Sequence, residues 1–265
     1  SSERENLRLT ENAVASSSTS FNSIIIDGAG VNRDINSGQT LTVASGAILF
    51  SSGLEPRLDG PGTLNFGSQE GLMTVNSTGN TFITSTITGT AGMTYHGSGT
   101  LVLGGQQNTY SGETVLRVRN VIPQSSSVGP AGAPTSGPFG TGTVVFDGSS
   151  IRSTTANVIT VGNPVVFRAD TTILSGSLNE LIFTGPATLQ DGDRVINHAS
   201  ASDTVFSGAI GDGGQGYGFT VSGSGTGSVV FNAANTYTGP TNILGSSIHL
   251  DDGGSTASSS VITVN

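Results

Sequence analysis

Acid–base and nucleophilic chemistry needs histidines, cysteines or paired carboxylates brought close together, and this sequence offers few of them. Its three histidines, His96, His198 and His249, lie far apart, each at a polar turn or strand end. They read as solvated surface residues, and no nucleophile elbow accompanies them to complete a triad. Cysteine is absent, so neither a disulfide nor a thiolate metal site can form. Gly211-Asp212-Gly213-Gly214-Gln215-Gly216 satisfies the G-x-G-x-x-G string of dinucleotide-binding loops. It neither follows a long strand nor opens a helix, so it fails the context that gives the string meaning. Asp191-Gly192-Asp193 and Asp251-Asp252-Gly253-Gly254 could offer oxygens to Ca²⁺, but the nonapeptide calcium repeat is missing, and solvated acidic turns are the plainer reading. A glycan-cleaving solenoid would need clustered acidic, basic and aromatic side chains. With no Trp, four Tyr and 10% charged residues the chain is poorly supplied. The expectation is therefore no catalytic residue, no cofactor, no metal site and no enzymatic activity.

The elements available to position any side chain are short strands. Gly reaches 40 of 265 residues, yet 34% are apolar, gathered in β-branched runs rather than scattered as in a disordered polymer. Runs of three to six Val, Ile, Leu, Phe and Thr, as at Thr40–Val43, Thr63–Phe66, Thr143–Phe146 and Ser228–Phe231, end at Gly, Asn, Asp or Ser. Only residues 3–15 could carry a short amphipathic helix, and there Leu7 and Leu9 alternate with polar neighbours as in a strand. Regularly spaced short strands mean a sandwich, a barrel or a solenoid. All basic residues are Arg, and the net charge of −9 is spread along the chain, which disfavours nucleic-acid binding. No run approaches 18 apolar residues, so no helical membrane span is expected.

An internal repeat decides among the three architectures. Residues 97–116 read GSGTLVLGGQQNTYSGETVL and residues 225–244 read GTGSVVFNAANTYTGPTNIL. Asn108 aligns with Asn235, Tyr110 with Tyr237 and Gly112 with Gly239, while Gly99 and Gly227 open the two copies. The lead-in segments FITSTITG (82–89) and VFSGAIG (205–211) also correspond. The four glycines are expected at corners needing φ > 0. The asparagines are expected to bond their own turn or a neighbouring rung, and the tyrosines to cover the core edge with wet hydroxyls.

The pattern Gly-x-Gly-Thr-Leu-x-Leu-x-Gly-x-Asn-Thr-Tyr-x-Gly-x-Thr resembles the autotransporter-associated β-strand repeat, also called the passenger-associated transport repeat. Flanks such as FNSIIIDG (21–28) and FGTGTVVFDGSSIRS (139–153) are similar to the material between its copies. The resemblance implies stacked parallel β-coils in an exported passenger region. The expected fold is all-β: one elongated domain over 21–265, a right-handed parallel β-solenoid (β-helix). At about 20–25 residues per turn it would make roughly ten to twelve coils, and at the ~4.8 Å spacing of stacked strands the rod would be about 50 Å long.

The functional expectation is a non-enzymatic extracellular or cell-surface structural protein, a self-associating subunit of a fibre or layer. The alternatives are an adhesin or passenger stalk with a host or matrix surface ligand, and a solenoid carbohydrate-active enzyme. Residues 120–138 hold four of the nine prolines and are expected to project as a loop. Residues 1–20 are expected to extend from the rod as a docking arm. The strand-like end Val261-Ile262-Thr263-Val264-Asn265 suggests end-to-end association into homo-oligomers.

Overall fold

Alternation along each short run decides which side chains are buried. In Ser23–Asp27 it places Ile24 and Ile26 inside, and in Thr40–Val43 it places Leu41 and Val43 inside. The computed structural model describes residues 5–104, 107–153, 157–174 and 179–265. Among the described residues every regular element is a strand, and every strand-to-strand ladder is parallel. The chain winds as one elongated β-solenoid of about 11 turns.

Each turn lays its strands on three faces. The first face opens with Asn6–Leu9, Ser23–Asp27, Ala47–Ser52 and Gly71–Val75, each hydrogen-bonded to the next. The second runs through Ala13–Ala15, Asn32–Ile35, Arg57–Asp59 and Asn80–Ile83. The third stacks Thr19–Phe21, Thr40–Val43, Thr63–Asn65 and Thr86–Thr88. Two longer strands, Met93–Leu103 and Thr114–Pro123, bend round the corner from the first face to the second.

The core is a set of ladders. Ile24, Ile48, Met73, Tyr95, Leu116, Phe146, Phe167 and Leu189 follow one another in register, and all are buried. In the later turns phenylalanine fills the columns. Phe146 stacks on Phe167 at 5.4 Å, Phe183 on Phe206 at 5.1 Å, and Phe219 meets Phe231 edge-on at 5.6 Å. Full burial of one such side chain stabilises by about 1.5–3 kcal/mol, and ring pairs of this geometry add about 0.5–1.5 kcal/mol. Arg33 puts a charged side chain into such a column: it lies in register between Ala13 and Leu58, and burial lowers its pKa.

Two expectations are corrected. Residues 5–20 are not a free arm but the first turn of the rod, because Leu9 and Ala15 complete the buried columns under Ile26 and Ile35. Residues 1–4 of that expected arm lie outside the described residues, as do Gly105 and Gln106 of the first repeat. The proline-rich stretch does not project. Residues 120–123 end the strand Thr114–Pro123, with Val121 and Ile122 buried. Residues 124–138 lie against the third face: Ser127 N donates to Thr160 O (2.8 Å), Gly132 N to Gly162 O (2.7 Å) and Thr160 N to Ser126 Oγ (2.9 Å). They bridge the gap where this face has no strand between Thr86–Thr88 and Ile159–Val161. Proline there removes amide donors that no neighbouring strand would accept.

Candidate functional site

The two Asn-Thr-Tyr segments each stand where a strand would otherwise continue a face. The last strand of the interrupted ladder still presents its backbone N–H and C=O, and these must be satisfied. In the first copy Ile87 N donates to Asn108 Oδ1 (2.7 Å), and Thr109 N donates to Ile87 O (3.0 Å). In the second, Ile210 N donates to Asn235 Oδ1 (2.8 Å), and Thr236 N to Ile210 O (2.8 Å). A side-chain amide thus replaces the carbonyl of a missing rung. Of the two roles expected for asparagine, it takes the one between rungs. The lead-in segments matched in sequence do correspond, since Ile87 and Ile210 hold the same post.

The copies share local geometry but not the same face. Asn108 caps the third face, above Thr86–Thr88, and its chain leads into Thr114–Pro123 on the first. Asn235 caps the first face, above Ile210–Gly211, and leads into Thr241–Leu244 on the second. Each copy is displaced round the rod by one face.

The tyrosines are not wet. Tyr110 and Tyr237 are each 1% exposed, and each hydroxyl meets a threonine four residues on, Thr114 Oγ1 at 2.8 Å and Thr241 Oγ1 at 2.6 Å. Those threonines spend their own protons on the following turn, Thr114 on Phe139 O (2.9 Å) and Thr241 on Ser259 Oγ (2.9 Å). The tyrosine is therefore the donor in each pair, and burial raises both phenol pKa values so that they stay protonated. Thr114 and Thr241 were not singled out from sequence, although their fixed place two residues after Gly112 and Gly239 was a signal.

The glycine expectation fails in its reason. Gly99, Gly112, Gly227 and Gly239 do not have positive φ. They are required because consecutive turns approach too closely for a Cβ. A methyl at Gly112 would strike the backbone of Ala91 and Gly92, and one at Gly239 the backbone of Gly216 and Tyr217. Gly227 faces the Ser202 carbonyl in the same way, and Gly99 lies against Val75.

The other candidates resolve individually. His96 faces outward and bonds Thr74 Oγ1 (2.7 Å), while His249 is exposed near Ser228. His198 is buried, not solvated, with Nδ1 3.1 Å from Ser246 Oγ. The Ser246 proton goes to Gly227 O (3.0 Å), so the hydroxyl accepts from His198 Nδ1–H. That direction is opposite to the one a nucleophilic serine needs. Burial lowers the His198 pKa and outweighs nearby Asp203. Among the described residues no three His, Cys, Asp or Glu side chains cluster as metal ligands. Asp193 instead accepts from Gly218 N (2.7 Å). The G-x-G-x-x-G string forms a corner loop whose backbone amides bind its own acid. Gly214 N (2.9 Å), Gly216 N (2.8 Å), Tyr217 N (3.0 Å), Thr238 N (3.2 Å) and Thr238 Oγ1 (2.8 Å) all donate to Asp212. Burial alone would raise the Asp212 pKa, but these bonds prevail and hold it at about 2.

Two outcomes are expected. Asn108→Ala should destabilise more than Asn235→Ala in urea unfolding, the former by about 1–3 kcal/mol. Asn108 Nδ2 also bonds Pro138 O (2.9 Å), whereas Asn235 Nδ2 is buried without a partner, so its removal relieves a cost. Asp212 has a folded pKa below its unfolded value of about 3.9. Its contribution is complete above that value and is lost as pH falls towards about 2. The urea midpoint should fall between these limits, and Asp212→Asn should flatten that fall.

No curated protein and no solved structure matches the chain. The family model described as Passenger-associated-transport-repeat matches residues 93–117 and 224–245, which contain the two Asn-Thr-Tyr corners. The chain thus carries two passenger-associated transport repeats, each capping one face of a parallel β-solenoid.

Proposed function

We propose that this chain is a rigid, non-catalytic section of an exported passenger, a stalk that holds surface-exposed parts of a larger assembly away from the cell. The observation that carries this reading is the pair of passenger repeats set into one uninterrupted buried core. Stability in such a rod is the sum of turns and of their nearest-neighbour contacts, so it can be lengthened without a new core. No helix among the described residues is long and apolar enough to cross a membrane. Antibody against residues 5–265 should label intact, unpermeabilised cells producing the native protein. Signal appearing only after lysis contradicts export.

A second reading, side-by-side assembly into a surface fibre, is favoured by one outward column on the third face. Ile182 and Val205 stack in register as the part-exposed middle residues of Leu181–Phe183 and Thr204–Phe206, whereas Val230, next in that column, is buried. Part-exposed aliphatic side chains on two consecutive rungs offer a lateral contact to a second copy. Sedimentation velocity should show concentration-dependent association that Val205→Lys suppresses. A monomer at all concentrations rejects this second reading and leaves the stalk intact.

A further inference from the structure

The first face carries a cleft of about 390 Å³ that is separate from the buried Asn-Thr-Tyr corners. Its floor is Val166 and Thr188, neighbours in register on consecutive strands, with Thr188 exposed. The corner beside it lengthens turn by turn. It spans residues 168–170 after Val165–Phe167, 190–193 after Ala187–Leu189, and 212–218 after Ile210–Gly211. The last and longest of these builds a wall at one end, carrying Gln215 and Tyr217.

That wall is constructed rather than loose. Gly213, Gly214 and Gly216 all have positive φ, between 63° and 80°, which lets the backbone curl round Asp212. The five hydrogen bonds to Asp212 then fix where Gln215 and Tyr217 stand. On the side wall Arg168 is held between Asp147 (3.9 Å) and the Gln190 side chain (3.4 Å). Its guanidinium keeps donors free for a ligand, because five N–H groups exceed two weak contacts. Glu113 and Asp191 complete the rim.

An aliphatic floor with amide, guanidinium, carboxylate and phenol groups round it suits a ligand with one C–H face and a rim of hydroxyls. That is the description of a pyranose ring. Two rim carboxylates on a chain of net charge −9 oppose a polyanionic ligand. We propose that this cleft is a binding subsite for a neutral hexopyranose glycan, seated on Val166 and Thr188 and held at its hydroxyls by Arg168, Gln190, Gln215 and Tyr217. The site needs no catalysis and does not depend on the stalk reading.

The protein supplies its own reporter. It has no Trp and four Tyr, of which Tyr95, Tyr110 and Tyr237 are buried, so Tyr217 is the tyrosine a cleft ligand would perturb. Cellohexaose, maltohexaose and chitohexaose would each be titrated against the full chain while tyrosine emission is followed. At least one should give a saturable change. Thr188→Arg, which fills the floor from the solvent side, should weaken that binding by about tenfold or more with an unchanged circular dichroism spectrum. Asp212→Asn should weaken it by loosening the wall that carries Gln215 and Tyr217. The proposal is overturned if none of the three neutral sugars gives saturation, if Thr188→Arg binds as well as the parent, or if oligogalacturonate binds in preference.

Discussion

The constraint on which everything else rests is that each turn must present its backbone and its inward side chains in register with the turns on either side. A parallel strand has no partner within its own turn, so each amide and carbonyl waits for the chain to come round again. In this protein the next pass follows after 21 residues from Phe146 to Phe167 and after 30 from Leu116 to Phe146. The segment 124–138, laid along the third face, accounts for the longer pass, and the Leu116–Phe146–Phe167 ladder stays in register. A longer connection is therefore accommodated where it can lie along the rod and still meet the next turn's backbone, as 124–138 does at Thr160 and Gly162.

A ladder that stops leaves donors exposed, and the passenger repeats are a solution to stopping. Asn108 and Asn235 each lend a side-chain oxygen to the amide left by the final rung, and a tyrosine then fills the space that a strand's apolar side chains would have filled. The phenol is tied to a threonine in the next strand, and that threonine to the turn beyond, so the interruption is bridged by hydroxyls through the core. Its bonds to the turn beneath are the same in both copies. Its two copies in fact occupy different faces. The copies also differ at the amide nitrogen: Asn108 Nδ2 bonds Pro138 O, whereas Asn235 Nδ2 has no partner.

The same corners that end ladders also shape the outer surface. Asp212 gathers the glycine-rich loop and ties it to Thr238 inside the second repeat, so the repeat and the cleft wall are mechanically joined. A polar surface with few charges and hydrogen-bonded corners offers little for proteases to grip.

Sequence alone determined the strand content, the parallel solenoid and the place of both repeats. Apolar alternation at Thr40–Val43 leaves little freedom about which side is buried, and Asn-Thr-Tyr with its glycines is specific. Strands such as Asn32–Ile35 and Arg57–Asp59 were illegible, because their sequences NRDI and RLD carry charges, and only the columns above and below make them strands. Tertiary structure decided the rest. It turned the expected arm into a first turn and drew the proline-rich stretch onto the third face. It made glycine obligatory at Gly112 and Gly239 through the backbone of another turn, about 20 residues earlier. It also buried His198 and both repeat tyrosines. Each of these depends on what lies one turn away, and the distance round the rod is set by connecting segments whose length no local pattern encodes.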